Sequence, residues 1–404
     1  MHSPLLTDDL LKFIAEHRND NTEQLRLKWH GKSPGFDIDF ALTQIECRRR
    51  CRMKLSRFTA DERFLFPTVV ASEQASNQSV ASYHAETFAQ GGSLLDMTAG
   101  LGIDAFAFSK KGMKVTAFEL DEFKADVLRH NSEIIGLKDF KTVSGDSVEA
   151  LNNNNESYDI IYIDPARRKG NNERAYNFKD CQPDILTLQN DLLERCEKLL
   201  IKGSPLLDVT QTVRDIREIN SIHVVSVENE CKEVLIEAGK NMNAIKYVAV
   251  DLNKDGKIIS KLEFLGNDTG KACDYSCEFT PGLYLYEPNA SVMKLAPWAI
   301  LSDRYPGLKK LGKDSHLFIS DSRFDDFPGR VLKIDKTINK KDRKTLKGFP
   351  ANVVTRNYPL SADNLRKKLG VREGTDSFIY GTRIGKDPIL LLCERCRNDD
   401  NQNR

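Results

Sequence analysis

The chain has 404 residues, of which 40% are hydrophobic and 29% charged, with a formal net charge of +1. This length predicts about two to three domains with sizeable hydrophobic cores. No stretch approaches the ~18 apolar residues of a membrane span, and the N-terminus lacks a secretory signal pattern, so we expect no membrane partner and no export. Nine scattered cysteines are typical of a reducing compartment, and we expect a cytoplasmic protein.

The hydrophobic pattern changes twice along the chain. In residues 1–80 apolar residues recur at intervals of three and four, which predicts a helical N-terminal domain. In residues 81–265 short apolar runs alternate with helical stretches, which predicts βαβ units and a parallel sheet covered on both faces. Proline and glycine then punctuate a mixed pattern, which predicts small α+β domains at 266–328 and 329–404.

Basic residues are concentrated in two segments. Between Arg330 and Arg372 there are 13 Lys or Arg against 3 Asp, and residues 48–57 form a second basic cluster. Such clusters indicate a polyanionic partner, although a solvated basic face gives the same pattern. The densest run contains the candidate substrate-binding residues Lys340, Lys341, Arg343 and Lys344.

The stretch LLDMTAGLGIDAFAFSKKGMKVTAFELD, residues 94–121, has the pattern of a strand, a glycine turn, a helix and a second strand. Glycines at such a turn let a ligand approach the backbone and leave free helix N–H groups facing it. Glu119 ends the second strand, 17 residues beyond Gly102, where a carboxylate accepts hydrogen bonds from both ribose hydroxyls. The same spelling fits a dinucleotide fingerprint, so the turn alone does not identify the ligand.

Carboxylates at the other strand ends distinguish a dinucleotide from a ligand that carries an ammonium group. Asp96 lies at the end of the first strand, where it suits a ligand's ammonium group and is unfavourable beside a pyrophosphate. Asp146 follows the third strand, where it can accept a hydrogen bond from an adenine amino group. Asp164 follows the fourth strand. We therefore expect all four acids at one edge of the sheet, where open α/β sheets bind ligands.

This series of motifs resembles the class I S-adenosylmethionine-dependent methyltransferases over about residues 70–250. The resemblance implies a Rossmann-like, doubly wound, seven-stranded sheet that binds S-adenosyl-L-methionine. It assigns cofactor binding to Asp96, Thr98, Gly100, Gly102, Glu119 and Asp146. The TAGLGxDAF spelling is similar to bacterial ribosomal small-subunit guanine-N2 methyltransferases. The C-terminal region resembles the ferredoxin-like (266–328) and THUMP-like (329–404) appendages of some bacterial methyltransferases.

The motif after the fourth strand, Asp164-Pro165-Ala166-Arg167, faces the methyl acceptor in that family. It has Ala in place of the family's usual second Pro and Arg in place of an aromatic residue. The resemblance makes Asp164, Pro165 and Arg167 the catalytic candidates, with Asp164 and the Pro165 carbonyl accepting the hydrogens of an exocyclic amine. Arg167 either stacks on the base or binds a phosphate with Arg168; a structural ion pair is the alternative.

A D-P-x-R tetrad also resembles the RNA uridine-C5 methyltransferases, which attack the base with a cysteine. Cys181 and Cys231 are the two cysteines expected near the edge of the sheet, and neither has that family's sequence context. We interpret both as buried, unreactive thiols. Methylation of nitrogen is therefore favoured over methylation of carbon.

Metal binding is not expected from the remaining cysteines and histidines. The pairs Cys393/Cys396 and Cys273/Cys277 each offer half of a zinc site, but their spacing is irregular. The seven histidines show no ligand spacing, and we expect His130 to lie on the surface of a helix.

Together these patterns predict an S-adenosylmethionine-dependent methyltransferase that modifies an exocyclic base nitrogen, with guanine N2 favoured, in rRNA or tRNA. The basic segment at 333–348 then binds RNA phosphates. A methyltransferase for a protein or small molecule, and an RNA-binding protein without turnover, remain alternatives. A nicotinamide dehydrogenase is the weakest, because the motif after the fourth strand does not suit hydride transfer.

Overall fold

The computed structural model describes residues 6–32, 34–167, 177–179, 181–240, 243–270, 272–275, 280–312 and 314–396. The chain forms two compact units. The N-terminal unit extends to Val248 and includes Leu252–Ile259, and the C-terminal unit comprises Ala249–Asp251 and the chain from Ser260 onward. No helix in the described ranges has the length and apolar character needed to cross a lipid bilayer.

Six helices precede the first strand, in agreement with the predicted helical N-terminus. They are α1 (Asp8–Glu16), α2 (Thr22–Trp29), α3 (Ile38–Cys51), α4 (Ser56–Thr59), α5 (Val69–Gln74) and α6 (Gln78–Phe88). The first three begin where the side chains of Thr7, Asn21 and Asp37 accept hydrogen bonds from the first-turn N–H groups. Their apolar faces form a small core that includes Leu10, Phe13, Leu25, Leu42 and Ile45.

Helices α3 to α6 also contribute to the core of the sheet that follows. Residues of α3 and of the segment after it, such as Cys51 and Phe64, lie in one buried cluster with Leu94 and Val115 of the sheet. The buried amide of Gln44 exchanges two hydrogen bonds with the backbone of Phe66, at 2.7 and 2.9 Å. The second half of the predicted N-terminal domain therefore packs as part of the sheet's own core.

His130 is buried, so the prediction of a surface position is wrong. Its Nε2 donates to the Arg63 carbonyl at 2.9 Å, and the neighbouring Asn131 exchanges two 2.8 Å hydrogen bonds with the backbone of Leu65. These side chains face the core because residues 63–66 pass over the helix that carries His130 and Asn131. The hydrophobic period of the helix did not reveal that a polar face was also covered.

The large sheet and its short accessory ribbon come from eleven strands. These are β1 (Ser93–Asp96), β2 (Lys114–Glu119), β3 (Phe140–Ser144), β4 (Tyr158–Ile163), β5 (Ala166–Arg167), β6 (Cys181–Gln182), β7 (Cys196–Gly203), β8 (Ile219–Val227), β9 (Glu230–Ala238), β10 (Lys246–Leu252) and β11 (Ile258–Leu265). The intervening helices are α7 (Ile103–Lys110), α8 (Glu122–Ile135), α9 (Ser147–Asn152), α10 (Ile185–Glu194) and α11 (Val209–Asp215). Strands β5 and β6 form a separate antiparallel ribbon.

The large sheet has nine strands in the order β11-β10-β8-β9-β7-β4-β1-β2-β3. Strands β3, β2, β1, β4 and β7 are parallel, and β9 pairs antiparallel with both β7 and β8. The seven strands from β3 to β8 in this order form the predicted Rossmann-like sheet, and β10 and β11 extend it. The strand order reverses beside β1, so the ligand crevice is expected outside the carboxyl ends of β1 and β4.

The C-terminal unit contains one seven-stranded sheet in the order β13-β14-β12-β15-β18-β17-β16. Its strands are β12 (Tyr284–Pro288), β13 (Lys309–Lys310), β14 (Phe318–Ser320), β15 (Gly329–Thr337), β16 (Asn352–Thr355), β17 (Ser377–Ile384) and β18 (Asp387–Arg395). Its helices are α12 (Ala290–Leu295), α13 (Trp298–Arg304), α14 (Asp342–Thr345) and α15 (Ala362–Leu369). Because β12 pairs with both β14 and β15, strands from 266–328 and 329–404 join in one sheet.

Hydrogen bonds from Arg48 hold the end of α4 and the loop after it in place. Its guanidinium donates to the carbonyls of Thr59 and Asp61 at 3.1 Å, Glu62 at 2.9 Å and Phe64 at 2.6 Å. One cation thus satisfies four backbone acceptors that no helix or strand pairs.

Replacing Arg48 with Ala should lower the free energy of unfolding by about 2–3 kcal/mol, because these charge-assisted hydrogen bonds are lost. Exposed Arg52, in the same basic cluster, is the matched control, and its change to Ala should cost less than about 0.5 kcal/mol. Urea unfolding monitored by circular dichroism measures both variants. Equal destabilisation would contradict this role of Arg48.

Candidate functional site

The turn between β1 and α7 has the shape that the glycines predicted. Gly100 and Gly102 have φ angles of +54° and +84°, in the left-handed region that favours glycine. A Cβ at Gly102 would lie 2.3 Å from Leu128 Cδ1 and 2.8 Å from Phe106 Cζ. Gly102 is therefore fixed both by backbone conformation and by close packing of α7 and α8 against the turn.

The acids after β2 and β3 lie at the same edge of the sheet as this turn. Glu119 is half-buried at the end of β2 and accepts a hydrogen bond from the Asp121 N–H at 3.1 Å. Asp146 is exposed and begins α9, where its carboxylate accepts from the N–H groups of Val148 and Glu149 at 2.8 and 3.3 Å. Their assignment to ribose and adenine stays a prediction.

Thr98 joins the ends of the two central strands. Its N–H donates to Asp96 Oδ1 at 3.0 Å, and its hydroxyl accepts from the Asp164 N–H at 2.8 Å. Asp96 is buried and Asp164 is half-buried, with Pro165 buried beside it. The structure thus brings together the candidate cofactor acid and the candidate catalytic acid through one threonine.

A line of charged side chains runs inward from Asp164. Lys202, on β7, places its Nζ 2.6 Å from Asp164 Oδ2 and 2.8 Å from the Ser76 hydroxyl. Ser76 also donates to Asp104 near the start of α7. We call the residues Asp164, Lys202, Ser76, Asp104, His84 and Glu233 the buried charge relay.

The inner end of the relay is centred on His84. Its Nδ1 lies 2.9 Å from Asp104 Oδ1 and its Nε2 lies 2.5 Å from Glu233 Oε1, and the imidazole is fully buried. Burial lowers the pKa of His84, but Glu233 and Asp104 outweigh it and raise that pKa to about 9. Burial raises the pKa of Asp104, but the hydrogen bond from His84 holds it below the ordinary value. His84 is therefore a buried cation between two carboxylates.

Asp96 has the opposite electrostatic environment. Burial, with Asp104 and Asp164 adding to it, raises the pKa of Asp96 to about 8, although the Thr98 N–H lowers it. A cation placed against such a buried acid strongly stabilises the charged form of its carboxyl group.

The second half of the DPAR motif lies at the border of the described chain. Arg167 pairs with Cys181 in the β5–β6 ribbon; Arg168 lies outside the described residues. Cys181 is buried, in agreement with its interpretation as an unreactive thiol, while Cys231 in β9 is half-buried.

The predicted basic cluster at 48–57 is largely occupied by structural contacts. Besides Arg48, Arg50 lies 2.5 Å from Glu46 and 2.6 Å from Glu73, and Lys54 donates to the Glu73 carbonyl at 2.6 Å. These contacts engage part of the cluster within the unit, whereas Arg52 is exposed, and the binding of a polyanion by this cluster stays a prediction. By contrast, Lys340, Lys341 and Lys344 in the C-terminal unit are exposed, and Arg343 is half-buried.

The cysteine pairs are not brought together as a metal site in the described part of the chain. Cys393 is buried in β18, Cys273 and Cys396 are half-buried, and Cys277 lies outside the described residues. Within the described ranges no group of three or more His, Cys, Asp or Glu is arranged to hold a metal ion.

Lys202, His84 and Ser76 were missed in the sequence analysis. Lys202 lies in an apolar run, KLLIKG, that reads as an ordinary buried strand. Asp104 lies inside the GLGIDAF turn, where the glycines explained the pattern without it. The one available signal was a lysine between apolar residues of a central strand, because a lysine buried there requires a partner.

Three family models match parts of the chain. "Conserved hypothetical protein 95" matches residues 72–181, a "ferredoxin-like domain" matches 284–328 and a "THUMP domain-like" model matches 329–395. A structure from Porphyromonas gingivalis W83, described as a "putative methyltransferase", superimposes with a TM-score of 0.83 and 27% identity, covering 96% of this chain and 98% of that one. The predicted resemblance to methyltransferases with a THUMP-like appendage is confirmed.

A curated relative matches a shorter stretch of the chain. Ribosomal RNA small subunit methyltransferase J of Francisella philomiragia is 36% identical over 80 residues, which are 18% of this chain. The match spans a third, 33%, of that relative's length.

Replacing His84 with Asn should lower the free energy of unfolding by about 3 kcal/mol at pH 6, because Asp104 and Glu233 stay buried without the cation between them. The pKa of folded His84 is about 9, above its ordinary 6.5, so its contribution is full below pH 6.5 and is lost as pH rises through 9. The gap between wild type and variant should therefore shrink towards alkaline pH.

Urea unfolding at pH 6 and at pH 9.5 measures this gap. The exposed His30, changed to Asn, is the control and should differ from wild type by less than about 0.5 kcal/mol at both values. A gap for His84 that is constant with pH would show that the imidazole is not a buried cation.

Proposed function

We propose that this chain is an S-adenosylmethionine-dependent methyltransferase that modifies an exocyclic base nitrogen, with guanine N2 favoured, in rRNA or tRNA. The observation that supports it most is the pairing of Asp164, at the end of β4, with the glycine turn and Asp96 at the end of β1 through Thr98. This puts an acceptor-binding acid next to a cofactor-binding acid at the switch point of the sheet.

The residues present fit the cofactor. A cationic amino-acid group suits the carboxyl of Asp96, whose pKa is raised by burial, with Asp104 and Asp164 adding to it. Apart from Gly100 and its two chain neighbours, the nearest heavy atom of the described chain to a Cβ at Gly100 is the Thr98 carbonyl oxygen at 4.0 Å, so the turn leaves room for a ligand against its backbone. Glu119 then binds the ribose and Asp146 the adenine, and Thr98 and Gly102 complete the turn.

The acceptor amine is oriented by the DPAR motif. The Asp164 carboxylate and the Pro165 carbonyl accept hydrogen bonds from its two N–H groups. The nitrogen lone pair then points away from both oxygens, towards the methyl group. When bound, S-adenosylmethionine would supply the methyl group for this nitrogen, with S-adenosylhomocysteine as the leaving group and one amine proton released to water. Positioning of the two reacting atoms supplies much of the rate. Arg167 and Arg168 hold the base or an adjacent phosphate.

RNA as the substrate is supported by the C-terminal unit. The THUMP domain-like match covers the segment in which Lys340, Lys341 and Lys344 are exposed. Exposed lysines bind phosphates through charge and release counterions. The curated relative acts, by its name, on ribosomal RNA, which favours rRNA among the substrates.

Transfer of labelled methyl from S-adenosylmethionine to total RNA tests the proposal, with RNA taken from a strain of the source organism that lacks this protein. We expect label in that RNA, and digestion should give a methylated guanosine. Asp164→Asn should lower the rate by at least about 100-fold, because the amine loses a charged acceptor, and should leave cofactor affinity unchanged. Changing Lys340, Lys341, Arg343 and Lys344 to Gln should raise KM for RNA and flatten its salt dependence.

RNA from the wild-type strain and total protein are the controls. Full activity of Asp164→Asn would exclude its catalytic role. Label in protein would indicate a protein methyltransferase, and RNA retention without any transfer would indicate a binding protein without turnover.

The affinity for S-adenosylhomocysteine should depend on pH through Asp96. The pKa of Asp96 is raised to about 8 in the free protein, and a ligand ammonium placed against it lowers that pKa. Binding must therefore release a proton below pH 8, and affinity should rise by up to about tenfold per pH unit between pH 6 and 8.

Titration calorimetry in two buffers of different ionisation enthalpy measures the proton release. The matched variant Asp96→Asn should bind more weakly and lose the proton release in this range. Binding by wild type without proton release would disprove contact between the ligand ammonium and Asp96.

A further inference from the structure

Lys202 is a buried cation that contacts Asp164, the acid that follows β4. Its side chain is 11% exposed, whereas that of its partner Asp164 is 40% exposed, with 2.6 Å between Nζ and Oδ2. One end of the pair is thus fixed inside the protein and the other faces outward. The lysine reaches Asp164 from β7, the strand next to β4 in the sheet.

Carboxylates around Lys202 in the N-terminal unit keep its ammonium group charged. Burial lowers its pKa, but Asp164, Glu233 and Asp104 outweigh burial and raise the pKa above its ordinary value. Its Nζ also donates to Ser76, whose hydroxyl donates to Asp104. The ammonium group therefore has fixed partners on the side away from Asp164, and its position does not depend on Asp164 alone.

We propose that Lys202 is a positioning residue for methyl transfer: it holds Oδ2 of Asp164 so that the carboxylate presents a fixed acceptor to the substrate amine. This inference rests on the proposed function, because it assigns Asp164 to the acceptor. Ser76 and Asp104 act behind Lys202 by fixing the ammonium group. Lys202 is not itself a proton acceptor in this arrangement, because it is already charged.

The position of this pair distinguishes it from a purely structural ion pair. A structural pair would act on folding and leave the turnover of folded protein unchanged. A positioning pair acts on the geometry of the reacting atoms, where small displacements cost large factors in rate. Lys202 should thus affect kcat while cofactor binding stays the same, since Asp96 and the glycine turn remain.

The experiment measures kcat and KM for transfer to the RNA pool, together with the Kd for S-adenosylhomocysteine and the melting temperature. Lys202→Met should lower kcat by about 10- to 100-fold and change the Kd by less than about twofold. Lys202→Arg keeps a cation against Asp164 and should recover part of the loss. Lys198→Met, four residues earlier in β7 and half-buried, is the matched control with unchanged kcat.

Ser76→Ala gives a second test if Lys202→Met fails to fold. It leaves every charge in place and removes only the hydroxyl that joins Lys202 to Asp104, and it should lower kcat by about three- to tenfold at nearly unchanged melting temperature.

A double-mutant cycle tests whether Lys202 acts through Asp164. In the Asp164→Asn background, Lys202→Met should lower the residual rate by less than about twofold, because the carboxylate that it positions is absent. The full loss in both backgrounds, or full kcat in Lys202→Met, would overturn the inference while transfer by wild type upholds the proposed function. No transfer by wild type to any RNA would instead overturn the proposed function, and this inference with it.

Discussion

The buried charge relay is the interaction on which the arrangement of the N-terminal unit depends. It joins α6, α7, the strands β7 and β9 and the residue after β4 through side-chain contacts. A buried ion pair adds little net stability, since desolvation offsets attraction, but loss of one member leaves an uncompensated charge. The relay therefore acts mainly by specifying one arrangement, in which the end of β4 has a fixed distance from α7 and β7.

The charges of the relay also bear on what the crevice binds. Three carboxylates, those of Asp164, Asp104 and Glu233, face two cations, Lys202 and His84. Summed over its members, the relay thus carries a formal excess of one negative charge. A site with this excess attracts a cationic ligand and repels a pyrophosphate. This negative charge supports the cationic cofactor of the proposed function independently of the glycine turn.

The strand ends were predictable from the sequence because each is a local signal. Asp96, Glu119, Asp146 and Asp164 each follow an apolar run, and parallel strands bring such ends to one edge. The relay was not predictable in this way, since Lys202 and Ser76 are 126 residues apart and their pairing depends on the order of the strands. The same holds for the basic residues: Arg48 and Lys340 have similar sequence neighbours, and only folding shows that backbone carbonyls surround the first.

The C-terminal sheet shows a similar limit. Punctuation by proline and glycine predicted small α+β domains at 266–328 and 329–404, and it gave no sign that β12 pairs with β15 over five residues from Tyr284 to Pro288. Backbone pairing between segments leaves little trace in either one, because an edge strand and a central strand share the same alternation. In the same sheet, Phe349 and Tyr358 pack against the core cluster that contains Val353 and Leu365. Under the proposed function, RNA contact in this unit would depend on exposed lysines, and phosphate contacts position an RNA without selecting its sequence. Selection of the nucleotide would then fall to the DPAR motif, where the proposal makes Asp164 the charged acceptor and Lys202 the residue that positions it.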